Sequence, residues 1–224
     1  MTSTIEHETD LPAQHPRVRD ILDRLRGVFA DKGFDGASMQ DLARGAGMSA
    51  GNFYRYFSSK NALVEAFVEQ DLLDIESDFH AIVTSSSPRK ALRETLRRSL
   101  ESFHDTKAAP LWAEIEAAAQ RRPEIKAIHD RMETKIADYL IQAFAVIAGI
   151  GPEAAKEQFS AHATMIFLLV RGAAMQSCDA AAPPMQADRT AVTGLALRLV
   201  DLIIAEIAGQ QDRAHDAESQ THVA

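Results

Sequence analysis

The chain has 224 residues and a net charge of −8, and hydrophobic residues make up 46% of it. This composition excludes an intrinsically disordered chain, and sparse aromatic residues with abundant alanine favour helices over sheets. Cys178 is the only cysteine, which excludes an intrachain disulfide framework or a cysteine-based zinc site and fits a reducing cytoplasm. We expect no signal peptide in the polar N-terminus, and the longest apolar run, Met165 to Val170, is too short to span a membrane.

Apolar positions recur at helical spacing along the chain, with breaks at Pro, Gly and Ser, so we predict an all-α fold of about nine helices. Residues 1–15 are expected to form a disordered arm, 16–60 a DNA-binding domain, 61–208 a helical regulatory and dimerisation domain, and 209–224 a disordered tail. The predicted helices cover about residues 16–33, 38–45, 49–57, 59–83, 88–103, 108–121, 123–148, 152–180 and 187–208.

Residues 38–60 combine two short helices and a glycine-containing turn. Ser38 is a good N-cap, with Asp41 at the acidic position of a capping box, and Ser49 caps the second helix. Gly47 lies where the turn requires a positive φ. Met48, Phe53 and Phe57 are expected to face inward. This pattern indicates a helix-turn-helix, whose second helix enters the DNA major groove.

The charge distribution fits that interpretation. Residues 16–63 carry a net charge of +3 and the remainder −11, so a mildly basic head is joined to an acidic body. The outward or flanking residues of the second helix are Ala50, Gly51, Asn52, Tyr54, Arg55 and Tyr56. Gln40, Asn52 and Arg55 have the side chains that read adenine and guanine edges. We expect Ser38, Ser49 and Lys60 to contact phosphates, the lysine relieving its conflict with a helix N-terminus there.

The order Ser38-x-x-Asp41-Leu-Ala43, Ala46-Gly-Met-Ser49, Phe53-Tyr-Arg-Tyr-Phe57-x-x-Lys60-x-x-Leu63 resembles the TetR family of bacterial transcriptional regulators over about residues 16–67. The resemblance implies a homodimer through the last two helices, a ligand cavity among the middle helices, and repression released by ligand. It places common DNA contacts at Ser38, Gln40, Ser49, Ala50, Gly51, Asn52, Tyr54, Tyr56 and Lys60. Gly51 is a weak helix former, and Gln40 stands where a basic residue sometimes occurs, so no operator sequence is carried over.

Candidate ligand-binding residues in the body are Phe103, Trp112, Tyr139, His162, Met165, Arg171 and Met175. Ordinary core packing is the alternative for most of them, and for Arg171 we favour a structural ion pair over ligand contact. Candidate dimer-interface residues, chosen for close packing of the last two helices, are Gly172, Ala173, Leu195, Leu199 and Ile203.

The sequence predicts a ligand-responsive DNA-binding regulator, a cytoplasmic repressor that binds a palindromic operator and is released by a small apolar or amphipathic effector. We expect no cofactor, no catalytic residues and no metal site, because His129-Asp130 has no second metal ligand at helical spacing. One alternative is a small-molecule sensor whose DNA function is weak or lost. An all-helical enzyme is a weaker alternative, because no catalytic motif occurs.

Overall fold

The computed structural model describes residues 16–102, 108–176 and 188–221, and within these ranges it is helical without strands. The helices are α1 (Pro16–Gly36), α2 (Met39–Gly45), α3 (Ala50–Tyr56), α4 (Lys60–Val83), α5 (Pro88–Ser102), α6 (Ala108–Ala119), α7 (Pro123–Ala148), α8 (Pro152–Gln176) and α9 (Arg189–Thr221). The all-α prediction is therefore confirmed.

Most helix bounds agree with the predicted ones to within two residues. α1 ends at Gly36 rather than residue 33, and the N-cap of α4, for which the sequence predicts Ser58, and the end of α9 also differ. The N-cap of α4 is Ser59 rather than Ser58, because the Ala62 backbone N–H donates to Ser59 Oγ over 3.1 Å. α9 runs to Thr221, so the tail predicted to be disordered from residue 209 is helical as far as the structure describes it. The predicted arm at residues 1–15 and the predicted end of the eighth helix at 177–180 lie outside the described residues.

The chain divides into two compact units. The first contains the described residues up to Leu73 together with those from α6 through Met132. Its core includes the stacked rings of Phe29 and Phe34, with centroids 5.9 Å apart, and Phe67 packed edge-on to Phe29 at 6.0 Å. The predicted boundary after residue 60 thus differs from this division, since α6 and the start of α7 cluster with the N-terminal helices.

The second unit contains the described residues of Asp74 to α5 and from Glu133 onward. Phe144 on α7 and Phe159 on α8 meet edge-to-face at 6.1 Å in its core, and Val200 and Ile204 of α9 are buried in the same cluster. Among the described helices, none alone is both long and apolar enough to cross a membrane. α7 and α8 meet that requirement only as a pair bent by 112°.

Candidate nucleic-acid interface

α2, the following turn and α3 form a helix-turn-helix with both predicted caps in place. Ser38 accepts a hydrogen bond from the Asp41 backbone N–H at 3.1 Å, and Asp41 Oδ2 accepts one from the Ser38 backbone N–H, also at 3.1 Å. Ser49 Oγ accepts from the Asn52 backbone N–H at 3.3 Å. Gly47 has a φ of 70°, the left-handed conformation that glycine adopts without strain. Local interactions therefore define where α2 and α3 begin and how the turn between them is made.

Buried aromatic residues hold α3 in place. Phe53 and Phe57 are almost completely buried, and their ring centroids lie 5.4 Å apart. Met48, predicted to face inward with them, is half-buried. α2 packs tightly against α1 at Gly45, where an added Cβ would lie 2.4 Å from Val28 Cγ2. Ala43, whose small side chain the sequence pattern suggested for a close helix crossing, is buried. The pattern did not predict that Gly45 must lack a side chain.

The opposite side of α3 is exposed. Ala50, Gly51 and Arg55 are exposed, Asn52 is half-buried, and the Tyr54 side chain retains 47% of its accessible surface. A Cβ added at Gly51 would meet nothing within 4 Å, so the backbone is open to a close approach there. Gln40 on α2 is also exposed. The structure thus brings together on one motif the residues expected to read bases.

Tyr56 is half-buried and lies beside a cation that the sequence pattern did not reveal. The Arg17 guanidinium carbon is 5.8 Å from the Tyr56 ring centroid, within the range of a cation–π contact. α1 therefore adds a positive charge next to the exposed face of α3. In the sequence, the only indication of this role for Arg17 is its position in the first turn of an amphipathic helix.

Asp41 joins α2 to α1 as well as capping α2. Lys32 Nζ lies 2.7 Å from Asp41 Oδ1, and the Ser38 hydroxyl donates to Asp41 Oδ2 over 2.6 Å. The hydrogen bond from Lys32, followed by those from Ser38, lowers the pKa of Asp41 well below its ordinary value. The Ser38 hydroxyl hydrogen is thus already used within the motif.

Lys60 has a different environment from the predicted one. Its ammonium donates to the backbone oxygens of Phe34 at 2.8 Å and Asp35 at 3.4 Å, and lies 5.0 Å from the Phe34 ring centroid. These carbonyls are at the C-terminal end of α1, where a helix favours a cation. The predicted conflict with the N-terminus of α4 is therefore relieved within the chain, without a bound phosphate.

The predicted ligand residues of the second unit have partners within the protein. Tyr139 stacks on Phe79 with centroids 5.8 Å apart, and burial, reinforced by the neighbouring Glu76, raises the Tyr139 pKa. His162 Nε2 lies 3.4 Å from a Glu206 carboxylate oxygen. Its Nδ1 is buried and has no hydrogen-bond partner among the described residues.

The remaining predicted ligand residues have different environments. Arg171 Nη1 lies 3.3 Å from Glu133 Oε1, which confirms the structural pairing favoured from the sequence. Trp112 belongs to the first unit, and Met165 is 50% exposed. Phe103 and the Met175 side chain lie outside the described residues.

The last two helices expose apolar side chains, as a dimer interface requires. On α9, Leu195 and Leu199 are 50% and 39% exposed, and Leu202 is 67% exposed. Ile203, the predicted interface residue, instead packs against the core of its own unit. On α8, Met165 and Leu168 are about as exposed as Leu195, Gly172 is exposed, and Ala173 is half-buried.

Three potential metal ligands lie together along α7. His129, Asp130 and Glu133 each offer one ligand atom within 4.8 Å of the others, so the statement that His129 lacks a further ligand at helical spacing was wrong. Lys126 Nζ already binds Asp130 at 2.7 Å, and Arg171 pairs with Glu133. Because Lys126 and Arg171 already pair with these two carboxylates, we assign no metal site to this group.

The geometry defines a helix-turn-helix protein of the class that binds DNA through a short exposed recognition helix. Residues 21–67 match the family described as bacterial regulatory proteins, tetR family. The helix-turn-helix domain of this chain is therefore of the TetR type.

Three similar proteins illustrate the relationship. The regulator UidR of Escherichia coli is 28% identical over 130 residues, covering 58% of this chain and 65% of UidR. The structure of Salmonella enterica GusR superposes with a TM-score of 0.65 at 20% identity, covering 88% of this chain and 96% of GusR. AibR, crystallised with isovaleryl coenzyme A and operator DNA, gives a TM-score of 0.56 at 18% identity over 82% of this chain and 97% of AibR. Matches to the curated relatives UidR and YvdT of Bacillus subtilis span only 65% and 25% of their lengths.

Proposed function

We propose that this protein is a homodimeric transcriptional regulator, a repressor that binds a palindromic DNA operator and is released by a small apolar or amphipathic effector. The exposed face of α3 is the observation that carries the proposal. Phe53 and Phe57 anchor one side of this short helix, while Ala50, Gly51 and Tyr54 on the other side contact no core. An α-helix of this kind fits the major groove of B-DNA.

Base reading is assigned to Asn52, Arg55 and Gln40, because amides pair with adenine and guanidinium with guanine. Phosphate contact is assigned to Ser49. Its oxygen accepts the cap hydrogen bond, which leaves the hydroxyl hydrogen to donate to a phosphate oxygen. Ser38 is less suited to that role, because its hydroxyl already donates to Asp41.

Dimerisation supplies the affinity that one head lacks. Residues 16–63 carry a net charge of only +3 in a chain of −8, and the electrostatic part of DNA affinity grows with the number of phosphates neutralised. Two heads double that number and read two half-sites. We assign the interface to the exposed apolar residues of α8 and α9, which include Leu168, Leu199 and Leu202, because such faces are stable when another copy covers them.

The effector remains defined only by chemical class. AibR, which shares this fold, was crystallised with an acyl coenzyme A and operator DNA, which supports a small-molecule effector with an apolar part. Such a ligand needs different affinities for the DNA-binding and released states. We propose no cofactor, and we place the protein in the cytoplasm, where bacterial DNA lies.

The DNA claim is tested by selecting bound duplexes from a random pool and measuring affinities for the selected fragment. Tyr54→Ala and Arg55→Ala should each weaken binding by about tenfold or more, the scale of one specific base contact. Arg89→Ala, which removes an equally exposed arginine from α5, is the matched control and should bind like the wild type. If Arg55→Ala also binds like the wild type, α3 is not the reading helix. A protein that binds an effector but no DNA would favour the sensor alternative.

The dimer claim is tested by Leu202→Glu, which places a charge on the most exposed of the large apolar side chains that the structure describes on α9. Sedimentation should show a dimer for the wild type and a monomer for this variant. Val146→Glu introduces the same change at a 44% exposed residue of α7 and should remain dimeric. A dimeric Leu202→Glu variant would place the interface elsewhere.

A further inference from the structure

α1 is not a continuous helix. Gly33 has φ 70° and ψ 167°, which breaks the helical conformation before the last turn. The backbone N–H of the next residue, Phe34, donates to Glu114 Oε2 over 2.7 Å. The Glu114 carboxylate on α6 thus accepts a hydrogen bond from the backbone N–H at the break in α1. Because this acceptor is charged, the hydrogen bond is of the stronger kind.

A second carboxylate connects the same helices. Asp71 on α4 accepts from Arg26 Nη2 of α1 at 2.6 Å and from the Trp112 indole N–H of α6 at 3.0 Å. The Arg26 and Asp71 side chains are 14% and 22% exposed, so solvent screens this pair weakly. The Arg26 guanidinium also lies 5.3 Å from the Phe67 ring centroid. The network therefore fixes α1, α4 and α6 relative to one another inside the first unit.

We propose that Glu114 and Asp71 are positioning residues for the DNA-reading helix, an inference that rests on the proposed DNA-binding function. Neither carboxylate lies on α2 or α3, so neither is a base or phosphate contact. Both hold α1, and α1 contacts α2 closely at Val28 and Gly45. The orientation of α3 consequently depends on α6 through hydrogen bonds that no local sequence pattern predicts.

The test compares Glu114→Ala, Glu114→Gln and the control Glu94→Ala in the full-length chain. Glu94 is an exposed glutamate whose carboxylate pairs with Arg97 on its own helix, so its removal changes the net charge equally. Measurements are the affinity for the selected duplex, the affinity for a scrambled duplex, and the slope of each with salt. Circular dichroism and thermal unfolding report whether each variant is folded.

Glu114→Ala should lower the affinity for the selected duplex by about tenfold, the loss of one charge-assisted hydrogen bond. Its affinity for scrambled DNA and its salt slope should match those of Glu94→Ala, because no phosphate contact is removed. Glu114→Gln retains an oxygen acceptor for the Phe34 N–H and should recover most of the lost discrimination. A merely structural defect would instead lower both affinities together with the folded fraction.

Trp112→Phe provides a second variant if Glu114→Ala does not fold. It removes the indole donor to Asp71 while keeping an aromatic ring, and it should also reduce discrimination without changing the salt slope. If the folded variants discriminate as well as Glu94→Ala does, the positioning role is wrong and the proposed DNA function still stands. If the wild type itself does not discriminate between duplexes, both the function and this inference fail.

Discussion

Replacing Gly45 with alanine is expected to destabilise the DNA-binding unit, although alanine is the better helix former. The new Cβ would lie 2.4 Å from Val28 Cγ2, whereas carbon atoms pack best at about 3.5–4.0 Å. Val28 is β-branched and lies within α1, so its χ1 angle is nearly fixed and the methyl group cannot rotate away. α1 and α2 must therefore separate locally by about 1 Å to relieve the contact.

The magnitude follows from two opposing effects. Alanine in place of glycine within a helix stabilises by about 0.5–1 kcal/mol. Overpacking of a close contact costs about 1–3 kcal/mol. The expected net loss is about 0–2.5 kcal/mol, centred near 1 kcal/mol, and for a chain of this length each kcal/mol corresponds to about 2–4 °C in Tm.

The assay is denaturant unfolding followed by the fluorescence of Trp112, the only tryptophan, which lies in the same unit. Gly51→Ala is the matched control, because a Cβ at Gly51 meets nothing within 4 Å, and it should be neutral or slightly stabilising. Val28→Ala removes the opposing methyl group, so adding Gly45→Ala to it should stabilise. The resulting double-mutant coupling should equal the overpacking cost, about 1–3 kcal/mol.

Two results would refute this reasoning. Gly45→Ala could be as stable as Gly51→Ala, which would mean that α1 and α2 do not approach as closely as the structure shows. Alternatively, Gly45→Ala could lower the free energy of unfolding by the same amount in the Val28→Ala variant as in the wild type. The loss would then come from somewhere other than the contact between these two residues.

The remaining predictions concern carboxylates. Because Lys32 and Ser38 lower the pKa of Asp41 below 3.8, its stabilising contribution is complete above that pH and is lost as the pH falls through the lowered value. Asp41→Asn should therefore flatten the acid side of the stability profile measured by Trp112 fluorescence, and an unchanged profile would contradict the assignment. Asp201→Asn removes an exposed pair with Arg93 and should leave the denaturant midpoint of unfolding nearly unchanged, because solvent screens such a pair; a clear loss of stability would show that this pair is more than a surface contact.

The sequence predicted the motif well because its determinants are local. Ser38, Ser49 and Gly47 specify caps and a positive φ through residues only a few positions away, and Phe53 and Phe57 follow helical spacing. Such signals need no knowledge of the tertiary fold. The helix-turn-helix formed by α2, the turn and α3 could therefore be predicted from the sequence alone.

The contacts and helix bounds that the sequence did not predict have equally specific physical reasons. Lys60 and Glu114 find partners 26 and 80 residues away, and no local pattern pairs them. Met165 belongs to a helix segment that is apolar on most sides, so periodicity does not show which face is buried. Adjacent serines at 58 and 59 can both cap a helix, and only the hydrogen-bond geometry separates them.

The most direct test of the central claim is the stoichiometry and selectivity of binding to the selected duplex at moderate salt. We expect two chains to bind each selected duplex, with a strong preference for it over a scrambled duplex of equal length and a marked loss of affinity as salt rises. We also expect Arg55→Ala to lose this preference and Arg89→Ala to keep it. Binding by one chain per site, or equal affinity for both duplexes, would contradict the account.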